Sequence, residues 1–116
     1  MMDAMQLAAQ YVFKDSWIDS IAENGPDTTF HLGFLAGQQS SYQAGNPEVV
    51  LADLVVKKAL LINAKVNLNG NAIVDVVANE TDKLVMVIHN DGSGAATEIT
   101  VHGEDFSLVG HGDYYL

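Results

Sequence analysis

The chain has 116 residues, 48% of them hydrophobic, and no cysteine. It is therefore long enough to bury one core without staples, and disulfides, thiolate nucleophiles and cysteine-ligated zinc are excluded. Five basic residues, all lysine, face fifteen acids for a formal net charge of −10, so a polyanion repels the chain and no guanidinium is present for forked phosphate or guanine contacts, which argues against nucleic-acid binding.

No segment approaches the roughly 18 consecutive apolar residues of a membrane span. Met1 to Leu7 lacks the basic and continuously apolar regions of a secretory signal. The expected setting is the cytoplasm, without membrane contact.

Residues 3 to 23 read as helical, because Met5, Ala9, Phe13, Trp17 and Ile21 recur at four-residue spacing and form one apolar stripe. Ser16 and Asp19 have capping-box spacing and allow a second short helix there. Asn24-Gly25-Pro26-Asp27 ends the element. Residues 28 to 45 carry two patterns: Phe30, Leu32 and Phe34 alternate like a strand, whereas Phe30, Phe34, Gln38 and Tyr42 share a helical face. Asn46-Pro47-Glu48 predicts a further helix start, with a cap residue, proline at the first helical position and an acid in the first turn. Val49 to Val56 would continue that helix to Lys57 and Lys58.

From residue 60 the pattern changes to period two. Ile62, Ala64, Val66 and Leu68 alternate with Asn63, Lys65, Asn67 and Asn69, and Asn69-Gly70-Asn71 is a hairpin signal. Ala72 to Ala78 and Lys83 to His89 are apolar on both faces, as central strands are. Asp91 to Gly94 reads as a turn, Thr97 to His102 alternates, and Phe106 to Val109 suits a final short strand. The predicted fold is a single α+β domain over residues 1–116, with two or three N-terminal helices packed on a C-terminal antiparallel β-meander of four to five strands.

Three histidines each precede an acid by two positions: His89 with Asp91, His102 with Glu104, and His111 with Asp113. On a strand such residues share a side, so His102, Glu104, His111 and Asp113 are candidate ligands for a divalent metal. The intervening Gly103 and Gly112 point equally to plain turns. Asp75 interrupts an apolar strand, either as a buried base or as a solvent-facing acid paired with a lysine such as Lys65.

The order helix, ambiguous segment, helix and meander resembles that of cone-shaped α+β folds such as the nuclear-transport-factor-2-like and ketosteroid-isomerase-like group. That resemblance implies a pocket at one end of the sheet, with His31, Asp75 and His89 as its catalytic candidates. The residues themselves favour another reading: a small acidic, non-catalytic interaction protein of the inhibitor, immunity, chaperone or accessory-subunit type. It would need no cofactor or metal, and would meet a protein partner or a second copy in a homodimer through an open sheet edge.

Overall fold

The computed structural model describes residues 2–62, 72–89 and 96–110, without the side chains of Ile62 and Val74. The Asn69-Gly70-Asn71 hairpin, the Asp91 to Gly94 turn, His111, Asp113 and the Tyr114-Tyr115 tail lie outside the described residues. The elements in chain order are helix α1 (Ala4–Gln10) and strands β1 (Trp17–Asn24), β2 (Asp27–Phe34), β3 (Val50–Lys57), β4 (Leu60–Ile62), β5 (Ala72–Glu80), β6 (Lys83–His89), β7 (Ala96–His102) and β8 (Asp105–Gly110), with a 3-10 turn at Ala36–Gln38.

This is a correction to the α+β expectation: the fold is mostly antiparallel sheet with one short helix. The resemblance to the cone-shaped folds falls with it, because the helices on which that element order rested are strands. Of the helix expected over residues 3 to 23 only Ala4–Gln10 is helical: Tyr11 is already extended, with φ −121° and ψ 145°, and Asp15 then takes a left-handed φ of 67°, a conformation a helix does not contain and aspartate tolerates. Beyond it, Ile18 and Ile21 turn inward opposite Leu32 and Phe30, with a bulge at Asp19 between them. The helix placed after Asn46 is also a strand. In β3 Val50, Ala52, Leu54 and Val56 are buried, whereas Leu51, Asp53, Val55 and Lys57 point outward. Asn46-Pro47-Glu48 belongs to the preceding loop. The ambiguous stretch resolves as strand through Phe34.

All strand pairs are antiparallel, in the order β4-β7-β6-β5-β1-β2-β3-β8. The two ends of that order belong together. Only Lys58 and Ala59 separate β3 from β4, and only Gly103 and Glu104 separate β7 from β8. Lys57 pairs with Asp105 and Leu60 with His102, so the register runs unbroken through the interruption. Each of these two long strands bends from one half of the sheet to the other, which closes the sheet into a flattened ring. The far seam is thin: Trp17 pairs with Ala72, and Asp15 and Ser16 exchange backbone hydrogen bonds with Ile73. Orthogonal packings turn their corners with bent strands of this kind.

The interior is a single cluster. Phe30, Phe34, Phe106, Leu54, Met86 and Ile99 are among its fully buried side chains. Helix α1 packs on β5, β6 and β8, is started by a reciprocal Asp3–Gln6 capping box, and is tied to the β5–β6 turn by the Ala4 N–H donating to the Thr81 carbonyl at 2.8 Å. Tyr11, Phe13 and Phe34 meet edge to face at 5.5 to 6.3 Å. Beside them the buried Gln39 amide accepts from Val12 N–H and donates to the Val12 carbonyl, as a neighbouring strand would.

The bend has its own chemistry. Lys58 takes a φ of 52°, which costs about 1–2 kcal/mol for a residue with a side chain. The Asp27 carboxylate holds it there, accepting from the Lys58 backbone N–H and from Lys57 Nζ, both at 3.1 Å. The Lys58–Glu104 ion pair is too exposed, at 66% on each side, to hold the bend. Opposite lies Gly103, where a Cβ would stand 2.3 Å from Val56 Cγ1 and 3.1 Å from the Lys57 carbonyl.

Two outcomes follow from the bend. Gly103→Ala should lower unfolding stability by about 1–3 kcal/mol in urea titration, because Val56 is fully buried and has nowhere to move. The second concerns acid. Asp27's carboxyl is held below its ordinary value, first by the Lys58 backbone N–H and then by the Lys57 side chain. Its contribution is therefore present above the ordinary carboxyl range, near pH 4, and lost as pH falls through the lowered value. Urea midpoints measured from pH 2 to 7 should separate wild type from Asp27→Asn above about pH 5 and converge toward the acid end; parallel curves would show that this carboxylate is not linked to folding.

Candidate functional site

Because buried residues alternate along the strands, every outward position belongs to one of two outer surfaces. The surface of β1-β2-β3-β8 carries the denser constellation. Register places Ser20 opposite His31, His31 opposite Asp53, and Asp53 opposite Val109. One step along the sheet, Trp17 lies opposite Gly33, and Gly33 opposite Leu51.

Trp17 lies flat on the strand beside it. A Cβ built on Gly33 would fall 2.1 Å from Trp17 Cε2 and 2.3 Å from Cζ2, so the indole occupies the space a side chain at Gly33 would need. The ring is held in plane by Nε1 donating to Asp19 Oδ1 at 2.9 Å. The bulge at Asp19 re-aims that carboxylate toward the indole, as bulges do.

His31 Nδ1 and Asp53 Oδ1 are 2.7 Å apart, with the two side chains 40% and 23% exposed. A carboxylate at Nδ1 fixes the ring's orientation and leaves Nε2 to the outside. The Ser20–His31–Asp53 order across three strands matches a nucleophile, base and orienting acid, but no hydrogen bond links the Ser20 hydroxyl to the imidazole among the described residues. The pair as it stands is a polar recognition group on a surface. Apolar side chains frame it: Leu51 is 57% and Val109 53% exposed.

The residues singled out from sequence are dispersed. His31 is on β2, whereas Asp75 and His89 are exposed on the outer side of β5 and β6. Asp75 sits opposite Val87, two positions from His89, and its Oδ1 accepts from the Val76 N–H at 2.8 Å. The two sheet halves therefore carry His31 on one outer surface and Asp75 and His89 on the other, with the core between. His102 ends β7, and Glu104 follows it in the bend, ion-paired with Lys58 at 3.2 Å. Among the described residues no group of three His, Cys, Asp or Glu side chains is placed to hold a metal; His111 and Asp113 are outside them. No described helix is long and apolar enough to cross a membrane.

Sequence reasoning missed Trp17, Gly33 and Asp53 as members of one surface. The Phe30, Leu32, Phe34 alternation already placed His31 and Gly33 on one side of a strand, but nothing local supplies their partners on β1 and β3. No known family profile, no curated protein and no solved structure matches this chain.

Gly33→Ala should unseat the indole while leaving the fold intact, because the ring is at the surface and can rotate away. The expected result is a red-shifted emission maximum from the single tryptophan with a stability change of about 1 kcal/mol or less. An unchanged spectrum would show that the ring does not rest on Gly33.

Proposed function

We propose that the chain is a small, acidic, non-catalytic interaction protein whose outer β1-β2-β3-β8 surface docks on a partner protein. The observation that carries this reading is the Trp17 platform on Gly33, framed by exposed Leu51 and Val109 and by the His31–Asp53 pair. A large aromatic ring with apolar neighbours and a few fixed polar groups is the composition of an interface centre. Burying a side chain such as Leu51 from full exposure contributes about 1.5–3 kcal/mol, so these residues have free energy to give on docking.

Charge favours a different protein over a second copy. Asp19, Asp27, Asp53 and Asp105 all stand on the outward side of this half-sheet against Lys57, and a two-fold contact would set like charges against each other. The homodimer is retained as the outcome that light scattering would reveal, and the cytoplasm as the proposed setting.

The test is tagged capture from the source lysate with surface variants compared side by side. Leu51→Asp combined with Val109→Asp should reduce recovery of a stoichiometric partner at least tenfold. Val77→Asp, at a solvent-facing site on β5, should leave it unchanged. Equal recovery with both would remove the β1-β2-β3-β8 surface from the interaction.

A further inference from the structure

We propose that Asn24 is a site of spontaneous covalent modification, losing its side-chain amide to give aspartate and isoaspartate, and that this change loosens the corner at which the sheet closes. The site is the β1–β2 turn, and it is independent of the docking surface.

The chemistry is intramolecular. The backbone nitrogen of the residue after an asparagine attacks the side-chain carbonyl carbon, forming a C–N bond and closing a cyclic imide. The bond to the side-chain nitrogen breaks, and ammonia leaves with the proton that the backbone nitrogen gives up. Water then opens the imide at either carbonyl. Opening on the side-chain side leaves aspartate. Opening on the main-chain side leaves isoaspartate, whose backbone runs through Cβ and Cγ and is longer by one atom.

The turn presents both reacting groups. Asn24 and Gly25 are exposed, and the Asn24 side chain makes no hydrogen bond among the described residues. Asn24 ends β1 opposite Asp27, so Gly25 and Pro26 form the turn itself. The Gly25 N–H is bonded to no described backbone carbonyl, which leaves the attacking nitrogen uncommitted. Gly25 takes a φ of 61°, and beyond its chain neighbours no atom lies within 4 Å of where a Cβ would stand. Glycine is the residue least restricted in its backbone angles, so the turn can reach the geometry of attack.

The same turn braces the corner. Asp27 accepts from the Lys58 N–H and from Lys57 Nζ, and the Pro26 carbonyl accepts from the Ala59 N–H at 2.8 Å. Asn24 is the cross-strand partner of Asp27. A carboxylate at residue 24 therefore stands beside that of Asp27, with Cβ atoms about 4.5–5.5 Å apart, and like charges so placed are destabilising. Isoaspartate does more. Its added backbone atom breaks the match of turn and strands that sets a short hairpin's register, and so displaces Pro26 and Asp27 from Ala59 and Lys58.

The experiment incubates the full chain at mildly alkaline pH and follows it by peptide mapping, with isoaspartyl methyltransferase labelling to report the isomer. Expected is the mass gain of an acid replacing an amide in the peptide that carries Asn24-Gly25, with methyl acceptance at the same place. Asn24→Gln keeps an amide but needs a larger ring, and should react at least tenfold more slowly at this position. The modified protein, separated by ion exchange, should unfold at lower urea than the unmodified. Asn24→Asp should also lower the urea midpoint, and by less in an Asp27→Asn background, where the like-charge contact is gone.

An unmodified Asn24 peptide under conditions that modify it in the urea-unfolded chain would overturn the proposal. So would reaction confined to Asn69-Gly70, the chain's other asparagine–glycine pair, or an equal rate in Asn24→Gln. A modified protein with an unchanged urea midpoint, or an equal cost of Asn24→Asp with and without Asp27, would overturn the link between this turn and the corner.

Discussion

The structure depends on two chain segments turning the same corner together. At Lys58-Ala59 and Gly103-Glu104 a pair of antiparallel strands passes from one half of the sheet to the other without losing register. A straight path would leave a flat sheet with two long open edges, and the chain would have only one short helix to cover its apolar side. The bend removes that problem by folding the sheet onto itself. It is made possible by a position with no room for a Cβ, Gly103, and by one carboxylate, Asp27, that accepts from the strained Lys58 backbone. Asp27 sits just after the β1–β2 turn, and Ala59 donates to the Pro26 carbonyl in the same turn, so a hairpin far back in the chain sets the corner.

Closure decides which side chains are enclosed. Once the sheet wraps, one set of alternating side chains is enclosed, and large residues such as Phe30, Phe34 and Phe106 occupy that space. The other set of side chains forms pleated outer surfaces. Register then composes them. The bulge at Asp19 aims a carboxylate at the indole, the glycine at residue 33 lets the indole lie down, and a cross-strand pairing delivers Asp53 to His31. Each of these is a backbone consequence before it is a side-chain one.

Some of this was legible in the sequence. The strands expected at Ala72 to Ala78, Lys83 to His89 and Thr97 to His102 are present as β5, β6 and β7, because turns such as Thr81-Asp82 separate neighbours that pair locally. The first half misled for a physical reason. Trp17 and Ile21 satisfy helical spacing, and β3 carries Leu51 and Val55 on its outer side, so the alternation that marks a half-buried strand is hidden when apolar residues occupy both sides. The helix-start signal at Asn46-Pro47-Glu48 is a local preference that the long pairings of β3 with β2 and β8 overrode.

Composition and local chemistry by themselves determined that the chain is acidic, free of cysteine and arginine, and rich in strand from its middle onward, since each is a property of residues or near neighbours. Tertiary structure alone decided that the N-terminal half is sheet, that the sheet closes, and that His31 meets Asp53, 22 positions away. The reason is the range of the interactions. A helix is stabilised by bonds four residues apart and can be read in a window, whereas these strands acquire partners only when distant segments arrive, and a one-residue slip in any pairing would turn the whole surface inward.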